Sequence, residues 1–203
     1  WNEGNSFAAP TQLLEDPRPG QLDMASGVAT TLVDGGIRAV EAPTGTGKTR
    51  AYLAAAIVAS SSGKVTLSTH TKQLQDQVIQ EANVFAKAGA RVRVVTMKGN
   101  SNYVCPDRLE RSLTSLASGA VEQFSEDLRT SAHIILGAES GEFDAIPSGP
   151  STRGPSMGRM RRASEVHSER CGEHCTYFNT CAFQNMQRAA KGADVIVTNH
   201  ALA

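Results

Sequence analysis

The feature that most constrains this 203-residue chain is a glycine-rich loop at residues 42–49, with the sequence APTGTGKT. A short apolar run at residues 37–40 precedes the loop, and an Ala- and Leu-rich run at residues 50–60 follows it. These flanks predict a strand and a helix. In that setting the backbone amides of the loop and the positive end of the helix dipole both face a bound phosphate. The sequence therefore predicts a phosphate-binding loop in an α/β fold.

Individual residues of this loop have separate expected roles. The residues expected to bind the nucleotide are Thr44, Gly45, Thr46, Gly47, Lys48 and Thr49. Lys48 would reach the β- and γ-phosphates and the Thr49 hydroxyl would bind Mg²⁺, so these two are also the expected catalytic residues. Ala42 stands where the strict pattern has its first glycine. An ordinary glycine-rich turn is the alternative interpretation.

A glutamine upstream of the loop is a candidate for recognising the nucleotide base. Gln21 ends the segment Arg18-Pro19-Gly20-Gln21, which by itself resembles a turn. A glutamine amide can pair with both N6 and N7 of adenine, so Gln21 would select ATP over GTP. The combination with the loop favours this interpretation.

Strand and helix patterns alternate around the loop. Strand patterns occupy residues 37–40, 64–68, 91–96 and 193–198, and helical patterns occupy residues 50–60 and 71–87. Such alternation predicts a parallel sheet with helices on both faces. This alternation of strand and helix patterns stops after residue 97. We therefore expect a motor domain formed by residues 1–97 and 191–203, interrupted by an insertion at residues 98–190.

The insertion is mostly helical and loop-rich, and it holds every cysteine of the chain. Helical patterns occupy residues 106–117 and 121–131, and a Gly-, Pro-, Ser- and Arg-rich run at residues 139–164 has too few large apolar residues to pack by itself. The cysteines are Cys105, Cys171, Cys175 and Cys181. A metal bound by these thiolates would cross-link a segment that cannot otherwise bury enough apolar surface to fold.

The residues alone leave the metal open. Four thiolates suffice for an iron-sulfur cluster or for tetrahedral zinc, and His174 beside Cys175 is a further candidate zinc ligand. A disulfide is disfavoured because nucleotide-dependent machinery without a secretory signal belongs in a reducing compartment. Uncoordinated core cysteines would be scattered rather than clustered.

The composition excludes several classes of protein. The chain has 20 Lys and Arg against 20 Asp and Glu, so any contact with nucleic acid depends on local patches. The longest apolar run, residues 51–59, is too short to span a bilayer. Residues 1–20 lack the basic and apolar regions of a secretory signal, so we expect a cytoplasmic protein.

One local basic patch lies near the cysteines. Its members are Arg153, Arg159, Arg161, Arg162 and Arg170, and the nearby aromatic rings are Tyr103, Tyr177 and Phe178. Single-stranded nucleic acid is bound by basic grooves with stacking aromatics, which makes the patch a candidate DNA contact. A solvated flexible loop is the alternative, because charge runs often form one.

Taken together, the motifs occur in the order seen in one family. The motifs are RPGQ at residues 18–21, APTGTGKT at 42–49, STHTKQLQ at 68–75, KGNSNYVC at 98–105, the later cysteines, and ADVIVTNH at 193–200. This order resembles the iron-sulfur superfamily-two DNA helicases, with the long gap before the last cysteines most similar to the bacterial DinG and YoaA branch and XPD a more distant relative.

The resemblance implies more than the residues alone. It implies a RecA-like motor that binds ATP and Mg²⁺, and a [4Fe-4S] cluster held by the four cysteines. Thr69 and Thr71 match a motif that holds phosphates of single-stranded DNA, although His70 replaces the asparagine common there. Arg159, Arg161 and Arg162 would also contact DNA. Asn199-His200 matches the segment before the acidic magnesium motif, where we expect a structural role.

The same resemblance implies a function for a longer parent protein. It predicts an ATP-dependent 5′ to 3′ helicase that acts as a monomer on single-stranded and forked DNA in repair or replication. The acidic motif and the second motor domain would lie beyond residue 203, so we expect this piece alone to be inactive. The alternatives are a zinc-stapled nucleic-acid-binding ATPase module, a helicase coupled to an exonuclease domain, and a redox sensor.

Overall fold

The computed structural model describes residues 9–18, 20–118, 125–138 and 140–202. The chain forms two compact units. The sheet unit comprises Trp1–Met97 and Ala189–Ala203, and the cysteine unit comprises Lys98–Arg188. In the part of the chain that the structure describes, none of the helices has both the length and the apolar character needed to cross a membrane.

The sheet unit is an α/β unit with a parallel sheet. Its helices are α1 (Gln21–Asp34), α2 (Lys48–Ala59) and α3 (Lys72–Lys87), and its strands are β1 (Val65–Thr69), β2 (Val94–Thr96) and β3 (Val195–Asn199). The strands lie in the order β1-β3-β2, and both pairs are parallel. Val65 and Val94 both pair with Val195. The β-branched residues that fill these strands suit a pleated sheet, and the predicted parallel α/β fold is confirmed.

The core of the sheet unit lies between its helices and one face of the sheet. Residues from α2, α3 and β3 form one cluster, which includes Leu53, Val78 and Val197, each of them fully buried. On β1, Val65 is buried whereas Thr66 and Ser68 are exposed, as the alternation of a strand requires. The helices therefore cover one face of β1, and helices on both faces of the sheet stay a prediction.

The strand predicted at residues 37–40 is wrong. Residues 35–43 have no regular secondary structure, and Ile37 and Val40 are exposed. A strand needs a neighbour to bond its backbone, and β3 already has β1 and β2 on its two sides. Within the described residues, neither outer edge of the sheet pairs with this run. The apolar run therefore stays unpaired and solvent-exposed.

The cysteine unit is helical with long connections. It contains α4 (Pro106–Ala117), α5 (Ser125–Leu136), α6 (Pro155–Ser164) and most of α7 (Ala182–Lys191). Short 3₁₀ turns lie at Asn100–Asn102, Phe143–Ala145, Pro150–Thr152 and Ser168–Arg170, and a further one in the sheet unit lies at Pro10–Gln12. The helix predicted at residues 106–117 is confirmed with the same bounds. The one predicted at residues 121–131 is described from Ser125 onward, and residues 121–124 lie outside the described residues.

The run at residues 139–164 is more ordered than its composition predicts. It contains α6, which buries Met157 and Met160 in a cluster with Leu109 of α4 and Ile135 of α5. Two methionines on one face of a short helix are sufficient here because the neighbouring helices supply the other side of the core. The run therefore packs against α4 and α5 rather than by itself.

Two valines on α3 test this packing. Val78 is fully buried whereas Val84 is 47% exposed. We expect Val78→Ala to lower the free energy of unfolding by about 2 kcal/mol, because it removes buried carbons and leaves a cavity. Val84→Ala is the matched control and should change stability by roughly 0.5 kcal/mol or less. Urea unfolding measures both, and equal losses from the two variants would contradict the assigned core.

Candidate functional site

The phosphate loop has its glycines where the backbone demands them. Gly45 has φ of +82° and Gly47 has φ of +78°, both in the left-handed region. An L-amino acid with a Cβ is disfavoured there. Gly47 is the N-cap of α2, and Lys48 is the first helical residue. The loop therefore delivers the chain directly into a helix N-terminus, whose amides and dipole attract an anion.

Lys48 folds over this loop. Its Nζ donates to the carbonyl oxygens of Ala42 and Pro43, each at 2.8 Å, and the Thr46 hydroxyl donates to Pro43 at 2.9 Å. An ammonium group has three N–H donors, so a further bond to a phosphate oxygen is possible. Thr49 is half-buried at the second position of α2. The predicted phosphate-binding residues are thus contiguous on one loop and helix end.

Gln21 joins the segment before α1 to the phosphate loop. Its Nε2 donates to the Gly47 carbonyl at 3.0 Å, and its Oε1 accepts from the Arg18 amide at 3.0 Å. Arg18 Nη1 in turn donates to the Gly45 carbonyl. The Gln21 side chain is buried, and each end of its amide keeps a second hydrogen-bonding position for a ligand. The structure thus places the predicted base-recognition residue against the predicted phosphate loop.

A cavity of about 480 Å³ lies beside this junction. It is lined by Glu15, Asp16, Arg18, Gln21, Gly47, Arg50 and Glu81. Arg50 Nε and Glu81 Oε2 form an ion pair at 2.9 Å across part of its wall. The volume is within the range of ordinary small-ligand sites. Sequence reasoning missed the Arg50–Glu81 pair because its members are 31 residues apart and no local pattern links them.

Contacts made by His200 join the carboxyl ends of β1 and β3. Ser68 Oγ lies 2.7 Å from His200 Nδ1, and the His200 amide donates to the Thr69 carbonyl at 3.1 Å. The His70 and His200 rings have centroids 5.9 Å apart. His200 therefore joins the two strand ends, which agrees with the structural role expected for it.

Thr69 and Thr71 have different environments at this edge. Thr69 is buried, and its hydroxyl donates weakly to the Thr71 and Thr198 carbonyls at 3.3 and 3.4 Å. Thr71 is exposed and caps α3, because its Oγ1 accepts from the Leu74 amide at 3.2 Å. A DNA contact by Thr71 is compatible with this geometry. A contact by the Thr69 hydroxyl stays a prediction that its burial does not favour.

The four cysteines come into one neighbourhood of the cysteine unit. Cys105 is the N-cap of α4, and Cys181 immediately precedes α7. Cys181 belongs to an apolar cluster against which Cys105 and Cys171 pack. Burial raises the pKa of the Cys105 and Cys171 thiols, and the charges of nearby cysteines, Cys175 included, raise it further. All four are free thiols.

The cysteine neighbourhood is not arranged around a single ion. In the described part of the chain, no group of three or more His, Cys, Asp or Glu side chains is positioned to hold a metal ion. His174, the additional zinc candidate, is exposed. The donor set of four cysteine thiols suits either tetrahedral zinc or an iron-sulfur cluster.

The arginines predicted to contact DNA lie on α6. Arg159 and Arg162 are exposed, and the Arg161 guanidinium lies 4.6 Å from the centre of the Phe143 ring. Because α6 is a helix packed in the core of this unit, these arginines are not part of a flexible loop. Arg153 is exposed outside the helix, and the Arg170 side chain lies outside the described residues.

Comparison with known proteins decides the family. A family model described as DEAD/DEAH box helicase matches residues 24–136, which is more than half of the chain. The chain belongs to the DEAD/DEAH box helicase family. The match begins just after Gln21 and includes the whole phosphate loop.

This helicase-family chain is also similar to individual bacterial proteins. It is 34% identical over 190 residues to ATP-dependent DNA helicase YoaA of Escherichia coli K12, which covers 92% of this chain and 28% of that protein. It is 30% identical over 207 residues to ATP-dependent helicase DinG of Mycobacterium tuberculosis H37Rv, which covers 91% of this chain and 30% of that protein. The chain thus spans less than a third of the length of these relatives.

The comparisons confirm the predicted likeness to the DinG and YoaA branch and the P-loop α/β fold. ATP and Mg²⁺ fit a helicase-family chain with this loop. The individual roles of Gln21, Lys48, Thr49 and the cysteines stay predictions.

Two glycine substitutions test the junction between the loop and Gln21. A Cβ on Gly47 would lie 2.4 Å from Gln21 Nε2, whereas a Cβ on Gly45 would meet nothing within 4 Å. Both variants incur the left-handed backbone cost of about 1 kcal/mol. Gly47→Ala should lower the free energy of unfolding by about 1 kcal/mol more, because Gln21 must abandon its hydrogen bond.

A Gln21→Ala background supplies the control for this pair. There the difference between the two glycine substitutions should disappear, because the side chain that clashes is gone. Urea unfolding of the four variants measures the effect. A difference that persists in the Gln21→Ala background would contradict the proposed contact.

Proposed function

We propose that this chain is the ATP- and DNA-binding part of an ATP-dependent DNA helicase. The observation that carries the proposal is the hydrogen bond from Gln21 to the Gly47 carbonyl, directly before Lys48 at the N-terminus of α2. Gln21 and Gly47 both line the cavity of about 480 Å³, so the phosphate loop and the cavity adjoin. The relatives named ATP-dependent DNA helicase support it. Because the chain spans 28% of YoaA, unwinding is assigned to the whole protein.

In this proposal the nucleotide lies across the junction. The amides of Thr44 to Gly47 face the phosphates, Lys48 neutralises charge on the β- and γ-phosphates, and Thr49 binds Mg²⁺. Gln21 contacts adenine from the cavity side. Hydrolysis further requires an acidic magnesium ligand, a group that orients water and an arginine at the transferred phosphate. We assign those groups to other parts of the whole protein.

The proposed DNA contacts lie at two separate places, one in each unit. In the sheet unit, Thr71 and the N-terminal amides of α3 would hold a phosphate of single-stranded DNA. In the cysteine unit, Arg159, Arg161 and Arg162 would supply further backbone contacts. Forked DNA as substrate, 5′ to 3′ movement and a monomeric state belong to the same proposal and follow from the family resemblance.

We further propose that the four cysteines hold a [4Fe-4S] cluster. The proposal is supported by the neighbourhood that the four thiols share, since Cys105 and Cys171 pack against the apolar cluster of Cys181 and the charge of Cys175 raises the pKa of both thiols. Four thiolates suffice for a four-iron cluster or for zinc, and the choice of iron-sulfur over zinc follows from the family resemblance. When bound, such a cluster supplies a cross-link among four chain positions and a redox centre.

A cytoplasmic location is part of the same proposal. Disulfides rarely persist in the cytosol, whereas thiolates remain available there to hold a cluster.

The nucleotide assignment is tested by Lys48→Ala in the full-length protein. We expect DNA-stimulated ATP turnover to fall by about 10²-fold or more, the usual scale for loss of one group that stabilises developing charge. Lys87→Ala at the exposed end of α3 is the control and should keep normal turnover. Normal turnover in the Lys48→Ala protein would contradict the role given to the loop.

The cluster assignment is tested by Cys175→Ser and His174→Ala. In protein purified without oxygen, we expect Cys175→Ser to lower iron and acid-labile sulfide per chain by at least about half, because one of four ligands is lost. His174→Ala should leave both unchanged. Stoichiometric zinc without iron, or loss of metal in the histidine variant, would favour the zinc alternative.

A further inference from the structure

The segment between the last two cysteines forms a compact loop with defined local bonds. This cysteine loop comprises residues 175–181. The Phe178 amide donates to the Cys175 carbonyl at 2.9 Å, and the Cys181 amide donates to the Tyr177 carbonyl at 2.8 Å. These bonds fix the shape of the loop. Much of its surface is exposed, so its placement depends on a few side-chain contacts.

One such contact reaches the helix that begins at Cys105. The Tyr177 hydroxyl donates to Glu110 Oε2 at 2.7 Å, although the two residues are 67 positions apart. Glu110 lies in α4, whose N-cap is Cys105. A hydrogen bond to a carboxylate is stronger than one between neutral groups. This bond therefore joins the two chain segments that carry Cys105, Cys175 and Cys181.

A second contact holds the other side of the loop. The Arg188 guanidinium, from α7, donates to the Phe178 carbonyl at 3.4 Å and to the Asn179 carbonyl at 3.2 Å. It also lies 5.2 Å from the centre of the Phe178 ring. The backbone next to Tyr177 is thereby restrained, so the Tyr177 hydroxyl is presented to Glu110 at little further entropic cost.

We propose that Tyr177 and Glu110 are positioning residues for the metal cluster. Their hydrogen bond holds the cysteine loop against α4, so that the thiol of Cys105 stays within reach of the thiols of Cys175 and Cys181. Without it the loop swings away more often, and each excursion exposes the cluster to loss. The inference rests on the cluster assignment made above and extends it to residues that do not bind the metal. Mutation of groups that hydrogen-bond to metal ligands commonly costs about 10- to 100-fold in metal affinity or activity, and we expect a contact that positions the ligand-bearing segments to act at the lower end of that range.

The test measures iron retention in the full-length protein purified without oxygen. The readouts are iron per chain and the rate at which visible absorbance decays after a chelator is added. Tyr177→Phe removes the hydroxyl and keeps the ring, and Glu110→Ala removes the acceptor. We expect each to release iron about 10-fold faster. The double variant should be no faster than either single variant, because one shared bond is lost.

Two further variants separate positioning from general loosening of α4. Glu110→Gln keeps an oxygen that accepts from the phenol but loses the charge, so its rate of iron release should lie between those of the unaltered protein and the Glu110→Ala variant. Arg111→Ala on the same helix, with a side chain 76% exposed, should also leave the rate unchanged. Faster release in the Arg111→Ala variant would indicate general loosening and overturn the inference.

The outcomes distinguish the positioning role from the cluster assignment on which it rests. Unaltered protein that contains no iron would overturn the cluster assignment itself. Unaltered protein that contains iron, together with a Tyr177→Phe variant that releases it at the same rate, would overturn only the positioning role.

Discussion

The sheet unit depends on the pairing of β3 between β1 and β2. These strands are distant in sequence, because the whole of the cysteine unit separates β2 from β3. Hydrogen bonds from the residues next to β2 nevertheless reinforce its pairing with β3. The Met97 amide donates to Val197 at 2.7 Å, and the Arg93 amide donates to the Asp194 carboxylate at 2.7 Å. Because closure entropy grows slowly with loop length, an insertion that forms a compact unit can occupy this position at modest cost.

The same pairing gathers chemically useful groups at the carboxyl ends of the strands. Parallel sheets place ligand sites at that edge, where the loops that follow each strand converge. Here Ser68 and Thr69 end β1, and His200 follows β3 and contacts both. The cap at Thr71 then starts α3 within two residues of the strand end. A shift of β3 would therefore also move the residues proposed to hold DNA.

Local sequence patterns predicted the helices and strands that depend mainly on their own residues. The helical patterns of α3 and α4 gave nearly correct bounds, and the strand patterns of β1 and β3 predicted those strands. The run at residues 37–40 misled because a strand requires a partner that a local pattern does not specify. The Ser68–His200 and Tyr177–Glu110 contacts join residues 132 and 67 positions apart, so no spacing rule reveals them. The phosphate loop was predictable because glycines permit the tight backbone curve that the motif needs.

The cysteine unit also changes the expected purpose of a metal there. A core built by α4, α5 and α6 contains Leu109, Ile135 and Met160, and within the described residues it includes no cysteine. Cys181 instead belongs to a smaller cluster with Tyr103 and Phe183, and Cys105 and Cys171 pack against that cluster. Tyr103 and the next residue, Val104, point into these two clusters from one extended segment. A metal would therefore stabilise the cysteine-bearing segments directly, while the three-helix core has apolar packing of its own. Loss of the metal should release the cysteine loop before it melts α4, which makes the contacts between that loop and α4 the decisive ones for holding the site together.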